Sequence, residues 1–454
     1  MHRVNDATVD LREAIFAYAR TRLNYEPAPL DNTASPELLW QQAGQTITED
    51  GLGGLEALKI FEQILAPATI STDHPGYLSF IPCAPTEASK LFDLVVSASG
   101  IYGGSWLEGA GAVYAENQVL SWLAKEAGLP AESGGVFVQG GTLGNLSALV
   151  AARENYRQQL LKSGQPLPNR FAVACSSEAH SSLKTAARVM DIDLLPIPVA
   201  ADGRIGHAEV SAMLATKPSG LFAIVATGGT TNFGIVDRLD EIGQLAKAHN
   251  LWFHVDGAYG LAGMLSPLTR NLFAGLELAD SFIVDPHKWL FAPFDACALI
   301  YRNPEIARAA HAQHGEYLDT LTDSGDFNPS DYAINLTRRP RGLPLWFSLA
   351  THGVATYREA VTKNIELAKF ARDEIVKRDF LTLVREPELS VVVFERNGWT
   401  LADYEAWSDR LLNNQIAFVV PSSHAGRPNA RFAIVNPLTS RELIVDILNS
   451  MENK

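Results

Sequence analysis

The sequence contains little cysteine, no long apolar run and no excess of basic residues. Its three cysteines, Cys83, Cys175 and Cys297, are far apart and lack the paired spacing that builds zinc sites or disulfide frameworks. We therefore expect buried or incidental free thiols and no metal site. A lone cysteine can act as a nucleophile, but without supporting residues it is more often part of the core.

The absence of long apolar runs and of a basic excess argues against two classes of partner. A membrane-spanning helix needs about 18 consecutive apolar residues, and a signal peptide needs an apolar core near the N-terminus. The sequence has neither. The formal net charge of −14 opposes binding to nucleic acid, because affinity for phosphate backbones comes mainly from clustered Lys and Arg. We predict a cytoplasmic protein that binds neither a membrane nor nucleic acid.

Length and composition predict a chain that folds completely. The 454 residues are 47% hydrophobic and 19% charged, which is ordinary for a globular protein. Because one simple core seldom serves so many residues, we expect one large domain with smaller attachments.

The two ends of the chain differ in pattern from its middle. Near the N-terminus, DLREAIFAYARTRL and SPELLWQQAGQ carry apolar positions at helical spacing, and Ser35-Pro36 is a typical helix start. We expect a helical arm over residues 1–72. After Pro344, one long helical pattern precedes LSVVVFER, QIAFVV and ARFAIVN, which alternate as strands do. This predicts a small α+β domain over residues 346–454.

The middle of the chain alternates short strand-like runs with longer helical runs. The short runs are GVFVQ, FAVAC, LFAIVAT, LWFHVD, SFIVD and ACALIYR. Such alternation is typical of a mainly parallel sheet with helices on both faces. It predicts a large α/β domain over residues 73–345.

In such sheets a ligand lies outside the carboxyl ends of the strands, so the residues that follow each strand are candidates for the site. After GVFVQ comes GGTLGN, where small residues let backbone N–H groups approach an anion at the start of the next helix. This pattern indicates a phosphate site. A Gly-rich turn with a Thr also begins many helices for purely structural reasons, so both interpretations stay open on this segment alone.

Two further strand ends carry charged residues in apolar surroundings. Asp256 follows LWFHV and needs a partner, which could be a helix N-terminus, a salt bridge or the protonated ring nitrogen of a pyridine cofactor. Lys288 follows SFIVD, within PHKWL. Desolvation there would lower the pKa of its amine and make it a nucleophile toward an aldehyde. Alternatively, its stem lies on the sheet surface and its ammonium in water. The three segments together favour a cofactor site.

These segments resemble those of the group II decarboxylases that depend on pyridoxal 5′-phosphate (PLP), the family of aromatic amino-acid and glutamate decarboxylases. The motifs occur in the family's order over roughly residues 73–349, with a weaker trace at Arg431-Phe432. They are His74-Pro75, GGTLGN, SEAHSS from Ser177, VATGGTTNFGIVD from Val225, HVDGAYG from His254 and VDPHKWL from Val284. The resemblance implies the PLP-dependent transferase fold, also called aspartate-aminotransferase fold type I.

The resemblance also implies roles for single residues around the cofactor ring. Lys288 would form the Schiff base with PLP, and Asp256 would pair with the pyridine nitrogen. His180 would stack on one face of the ring and Ala258 would pack on the other, while Thr230 would lie near the ring's edge. Without the motif, His180 would be interpreted as the cap of the helix that begins near Ser181.

The phosphate and the proton-transfer step complete the implied site. Residues Gly141, Thr142 and Leu143 would hold the phosphate, with His287 beside it. A tyrosine on a mobile loop would protonate the substrate's α-carbon, and Tyr332 is the candidate that precedes the paired arginines of the family's segment. Its spacing is shorter than in the aromatic decarboxylases, so Tyr317 is a second candidate, and Tyr332 could instead be a packed loop residue.

The sequence departs from the family at Asp285, where the aromatic branch usually has Asn, and at Gly257, where Ala is common. An ionised Asp285 cannot donate a hydrogen bond to a phosphate as Asn would. We therefore expect its side chain to face elsewhere.

The expected function is PLP-dependent decarboxylation of an L-amino acid to an amine and carbon dioxide, by a homodimer with a shared site. An aromatic substrate is favoured over glutamate because the matching substrate region is apolar and rich in rings. That region comprises Phe80, Ile81, Pro82, Tyr102 and Trp106. An aldehyde-forming oxidative decarboxylase, an aminotransferase and a non-catalytic PLP-binding protein are the alternatives.

Overall fold

A seven-stranded sheet organises one of the two units into which the computed structural model divides, the unit of residues 83–369 and 385–392. The structure describes residues 2–313 and 327–452. In sheet order the strands are β1 (Gly134–Val138), β7 (Cys297–Tyr301), β6 (Ser281–Val284), β5 (Trp252–Asp256), β4 (Leu221–Thr227), β2 (Ala172–Ser176) and β3 (Asp193–Ile197). Strand β7 is antiparallel to both neighbours and the other pairs are parallel. The prediction of a mainly parallel sheet is confirmed.

Helices precede, connect and follow the strands of this unit. They are α4 (Glu87–Ser99), α5 (Trp106–Glu126), α6 (Gly141–Lys162), α7 (Ser181–Met190), α8 (His207–Ala215), α9 (Leu239–Ala248) and α10 (Pro304–His311). Helix α6 packs its small residues, among them Ala148, Ala151 and Ala152, into the core beside the sheet. At Gly144 a Cβ atom would lie 2.8 Å from Ile283 Cγ2 and 2.9 Å from Cys297 Sγ. Only glycine therefore allows the first turn of α6 to lie this close to β6 and β7.

Strand β3 was not predicted from the sequence. It lies at the edge of the sheet, begins with the exposed Asp193 and contains Pro196, so its segment lacks the apolar run of the central strands. Proline is tolerated in an edge strand because one side of that strand has no hydrogen-bonded neighbour. The pairing with β2, rather than local composition, makes this segment a strand.

The other unit comprises residues 1–82, 370–384 and 393–454. The predicted N-terminal helices are confirmed as α1 (Asp6–Leu23) and α2 (Pro36–Ala43), with Ser35 capping α2. Helix α3 (Gly54–Ile60) continues into a π-helical turn, Phe61–Leu65. The remaining elements are α11 (Leu343–Val376), β8 (Leu381–Leu383), β9 (Val391–Arg396), α12 (Leu401–Asn413), β10 (Ser422–His424), β11 (Arg427–Ala433) and α13 (Arg441–Asn449). The four strands form one sheet in the order β10-β11-β9-β8, and α11 and β9 contain residues of both units.

The units divide the chain differently from the expected boundaries at 72/73 and 345/346. Residues 1–82 group with the C-terminal segment, and residues 346–369 group with the sheet-containing unit. The amide of Leu78 donates to the Phe418 carbonyl (3.1 Å), and the Phe418 amide donates to Gly76 (2.9 Å). The predicted strand at QIAFVV is wrong. Phe418 forms a single bridge with Tyr77 instead, because the extended partner available to it is this short segment near residue 77.

Two structural findings concern partners. All three cysteines are buried. Within residues 2–313 and 327–452, no helix combines the length and the hydropathy needed to cross a membrane, and no group of three or more His, Cys, Asp or Glu side chains is arranged to hold a metal ion.

Candidate active site

A pocket lies at the edge of the large sheet where β1, β2, β4, β5 and β6 end. These strands run in the same direction, so the segments that follow them meet there. The structure brings seven of the predicted residues into the lining: Gly141, Thr142, His180, Asp256, Ala258, His287 and Lys288. No role was predicted from the sequence for the other lining residues, which are Gln139, Gly140, Asn145, Ser182, Thr227, Gly229, Thr231, Tyr259, Asp285 and Asp295.

The N-terminus of α6 forms one end of the pocket. Gly140 precedes the helix, and no side chain caps it. At Gly141 a Cβ atom would lie 3.2 Å from both the Ala258 Cβ and the Asp285 Oδ2, so glycine keeps this end open. Uncapped N–H groups and the positive end of the helix dipole favour an anion here. Leu143 does not line the pocket, because its amide donates to the Gly140 carbonyl (3.0 Å) and its side chain packs on the core.

Asp256 occupies the end of β5 and is only 6% exposed. Its Oδ2 accepts a hydrogen bond from the Asn145 side-chain amide (2.9 Å), and its Oδ1 accepts one from the Ala258 backbone (3.2 Å). Two N–H donors hold this buried carboxylate in one orientation beside the pocket. A cationic ring nitrogen is the kind of group that such a carboxylate binds.

Lys288 lies opposite a second buried carboxylate. Its Nζ is 2.9 Å from Asp285 Oδ2, and His287 Nε2 is 3.8 Å from the same oxygen. Asp285 therefore lines the pocket and faces Lys288, whose ammonium supplies the partner that its charge needs. Burial by itself lowers the pKa of Lys288, but Asp285, with a smaller contribution from Asp256, raises that pKa above its ordinary value. The predicted lowering is thus reversed by an ion pair that the sequence did not reveal.

His180 caps a helix and also lines the pocket. Its Nδ1 accepts from the Ser182 amide (3.2 Å) and so caps α7, while the same side chain lines the pocket. The ring of His287, which also lines the pocket, is oriented by a hydrogen bond, because its Nδ1 lies 2.7 Å from the Ala296 carbonyl oxygen. Both rings are therefore oriented by the chain itself.

The segment after β4 contributes different residues from the one predicted. Thr230 does not line the pocket, because its hydroxyl accepts from the Ile235 amide (3.1 Å) in a buried turn. Its neighbours Gly229 and Thr231 line the pocket instead. Thr227 also lines it, and its buried hydroxyl has no hydrogen-bond partner within the described part of the chain. An unpaired buried hydroxyl beside a pocket indicates a place for a ligand atom.

Tyr332 lies away from the pocket lining. It is buried in the core beside the sheet, where its ring stacks on Phe327 at a centroid distance of 4.4 Å. Its carbonyl accepts from the Tyr301 hydroxyl (3.2 Å), and burial raises the pKa of the Tyr332 phenol to about 12. Tyr317, the second candidate, lies outside the described residues.

The five residues predicted to contact the substrate are divided between the two units. In the sheet-containing unit, the Tyr102 hydroxyl donates to the Leu336 carbonyl (3.2 Å), and Trp106 begins α5. Neither is among the residues that line the pocket. Phe80, Ile81 and Pro82 belong to the other unit, in which the side chain of Phe80 is 61% exposed.

The pocket has the groups that PLP requires. The open N-terminus of α6 suits a phosphate, the buried Asp256 carboxylate suits a protonated ring nitrogen, and Lys288 offers an amine for an aldehyde. The unpaired hydroxyl of Thr227 leaves a further hydrogen-bonding position. The residues present therefore fit this cofactor.

Comparisons with known proteins agree with the fit. The pyridoxal-dependent decarboxylase conserved domain matches residues 36–397. An aromatic-L-amino-acid decarboxylase of Bacillus atrophaeus is 28% identical over 435 residues, which cover 92% of this chain and 89% of that protein. Tryptophan decarboxylase 2 of Oryza sativa subsp. japonica is 30% identical over 405 residues, or 83% and 80% of the two chains. The crystal structure of Oryza sativa TDC with PLP and tryptamine has the same fold, with a TM-score of 0.88 at 24% identity over 99% of each chain.

Replacing Asp285 should speed the covalent capture of PLP by the apoprotein at neutral pH. Asp285 makes the largest contribution that raises the pKa of Lys288, so Asp285→Asn lowers that pKa and increases the fraction of neutral amine. The pH profile of the capture rate should shift to lower pH, and the capture rate at neutral pH should rise on the order of tenfold. The rate is measured from the cofactor's absorbance, and borohydride trapping with peptide mass spectrometry confirms attachment at Lys288.

Asp295→Asn is the matched control for this experiment. Asp295 lines the same pocket but pairs with Arg341 (3.0 Å) rather than with Lys288. Its replacement should leave the capture profile unchanged. An Asp285→Asn profile identical to that of the wild type would mean that the ion pair does not control the amine.

Proposed function

The chain belongs to the pyridoxal-dependent decarboxylase family and is a PLP-dependent amino-acid decarboxylase, and we propose that its substrate is an aromatic L-amino acid, converted to the amine and carbon dioxide. The single observation that carries the assignment of the site is the pocket that Lys288 shares with Asp256 and the open N-terminus of α6. An amine, an anion site and a buried carboxylate meet there.

Each residue of the pocket has a task that its surroundings allow. PLP, when bound, accepts the electron pair that the departing carboxylate leaves on the α-carbon. Lys288 provides the amine that attaches the cofactor, and Asp256 holds a proton at the ring nitrogen by its negative charge. The backbone at Gly141 and Thr142 binds the phosphate, and His180, fixed as the cap of α7, covers one face of the ring.

An aromatic substrate is supported by relatives and by the residues expected near the substrate. The relatives from Bacillus atrophaeus and Oryza sativa are named for decarboxylation of aromatic amino acids and tryptophan. In the sequence, the residues expected near the substrate are aromatic or apolar and carry no charge, which favours an aromatic side chain. A hydrophobic wall leaves the γ-carboxylate of glutamate unpaired, which costs far more than one misfitting methylene group.

Purified protein loaded with PLP should release amine and carbon dioxide from at least one of L-tryptophan, L-tyrosine and L-phenylalanine. We expect kcat/KM for the best aromatic substrate to exceed that for L-glutamate by about 10²-fold or more. Product amine is measured by chromatography and carbon dioxide by a coupled assay. Lys288→Ala should lack both activity and a borohydride-stable adduct. A preference for L-glutamate would contradict the aromatic assignment, and an active Lys288→Ala would contradict the site itself.

We also propose that the protein acts as a homodimer with a shared site. Helices α1, α2 and α3 have no buried residue, and α4 exposes Leu91, Leu94 and Val95. These three lie at i, i+3 and i+4, so they form one apolar stripe. Exposed apolar surface of this kind marks a contact with another chain. The cytoplasmic location expected from the sequence stays a prediction.

Changing the apolar stripe on α4 should dissociate the dimer. The triple variant Leu91→Asp, Leu94→Asp, Val95→Asp places three charges on the stripe, which formation of the dimer would desolvate. We expect sedimentation at low micromolar concentration to give a dimer for the wild type and a monomer for the variant, with loss of activity. Leu161→Asp, an exposed leucine near the end of α6, should remain dimeric. A wild-type protein that sediments as a monomer would contradict the proposed homodimer.

The residue that donates a proton to the α-carbon has still to be assigned, and Tyr332 and Tyr317 are the two candidates. The phenol of Tyr332 keeps its proton at neutral pH, since burial raises its pKa to about 12. Its ring, however, packs on Phe327 in the core, and a donor must reach the substrate. We therefore favour Tyr317 over Tyr332.

A pair of phenylalanine variants distinguishes the two tyrosines. Tyr332→Phe retains the stacking on Phe327, so we expect it to keep most of the amine yield. Tyr317→Phe should release much less amine and, in air, form aldehyde and ammonia, because the α-carbon is left unprotonated long enough to react with oxygen. Both products are quantified by chromatography after a fixed turnover. Aldehyde from Tyr332→Phe but not from Tyr317→Phe would return the donor role to Tyr332.

A further inference from the structure

A line of hydrogen-bonded side chains runs from the core to Asp256, and its member next to Asp256, Asn145, also lines the pocket. Trp252, His254 and Asp256 alternate along β5 and therefore lie on the same face of the strand. Ser281 lies beside His254 on the neighbouring strand β6, and Asn145 comes from the first turns of α6. All five side chains are buried, and none is more than 6% exposed.

The hydrogen bonds connect these residues in one line. The Trp252 indole Nε1 donates to Ser281 Oγ (2.8 Å), and Ser281 Oγ lies 2.8 Å from His254 Nδ1. His254 Nε2 lies 2.9 Å from Asn145 Oδ1, and Asn145 Nδ2 donates to Asp256 Oδ2 (2.9 Å).

The chemistry of the groups fixes the direction of every bond in this line. A carboxylate can only accept, so Asn145 directs its nitrogen to Asp256 and its oxygen to His254 Nε2, and the second N–H of that nitrogen donates to Ser182 Oγ (2.9 Å). Nε2 of the neutral His254 ring therefore carries the proton and donates it to Asn145 Oδ1, which leaves Nδ1 to accept from the Ser281 hydroxyl. The Trp252 indole N–H can only donate, so Ser281 Oγ accepts from it.

The line is electrically neutral up to Asp256. Burial lowers the pKa of His254 to about 4, even though the negative charge of Asp256 raises it. The imidazole is therefore uncharged at neutral pH. The last donor faces Asp256 Oδ2, and a second donor, the Ala258 amide, faces Oδ1 (3.2 Å). Both oxygens thus accept from N–H donors, which fixes the orientation of the carboxylate.

We propose that Asn145 and His254 are positioning residues that keep the Asp256 carboxylate oriented toward the cofactor's ring nitrogen. The proposal rests on the proposed role of Asp256. Without the Nε2–H of His254, the Asn145 amide is free to rotate and present its oxygen to Asp256. An amide oxygen facing a carboxylate oxygen is repulsive unless the carboxyl group takes up a proton. The ring nitrogen of the cofactor would then lose its anionic partner.

The test measures the protonation of the ring nitrogen directly, by ¹⁵N NMR of holoenzyme loaded with PLP labelled at that nitrogen. In Asn145→Ala and His254→Leu the resonance should move toward that of an unprotonated pyridine. His254→Gln should retain the wild-type resonance, because its side-chain amide can accept from Ser281 and donate to Asn145. We also expect the PLP dissociation constant to rise about tenfold or more in the two disrupting variants, the size of effect seen when the partner of a directly bound ligand group is removed.

Two controls separate positioning from packing. His311→Leu removes another buried histidine, whose Nε2 bonds the Ser147 carbonyl (3.0 Å) outside this line, and should leave the resonance unchanged. Circular dichroism shows whether each variant is folded, and if His254→Leu does not fold, Asn145→Ala still decides the outcome.

The possible results distinguish failure of the proposed positioning role from failure of the proposed role of Asp256. The positioning role would be overturned if Asn145→Ala gave the wild-type resonance, or if His254→Gln and His254→Leu shifted it equally, while Asp256→Asn still shifted it. An unprotonated ring nitrogen in the wild type itself would instead overturn the role of Asp256 on which the inference rests.

Discussion

The shared direction of β1, β2, β4, β5 and β6 is the constraint on which the pocket depends. Each of these strands ends at the same edge of the sheet, and each is followed or ended by at least one residue of the lining. Thr142 and Lys288 are distant in the sequence, yet they line one pocket because their strands point the same way. Reversing one strand would carry its residue to the opposite edge.

Charge balance in the pocket follows from this geometry. Two buried carboxylates, Asp256 and Asp285, face a single lysine, and they are stabilised by different means. Asp256 accepts N–H groups of neutral donors, whereas Asp285 pairs with the Lys288 ammonium. Lys288 is thus the counter-ion of Asp285.

The sequence predicted the parts of the fold that local patterns encode. Central strands such as β4 and β5 were found because they are buried on both faces and form continuous apolar runs. Strand β3 was missed because an edge strand tolerates Pro196 and polar residues. The segment around Phe418 was wrongly predicted as a strand, since its partner near Tyr77 lies far away in the sequence. Apolar alternation shows that a segment can pair, but it does not identify the partner.

For the site, the sequence by itself determined which residues follow the strands, and among them Asp256, Lys288 and the Gly-rich start of α6. Strand ends and glycine turns are local features, and the parallel sheet carries them to one edge. Only the tertiary structure decided which side chains touch. It paired Asp285 with Lys288, placed the ring of Tyr332 in the core, and joined Asn145, His254 and Ser281 into one line that ends at Asp256. Such contacts depend on distances between segments far apart in the chain, and no local pattern of residues contains those distances.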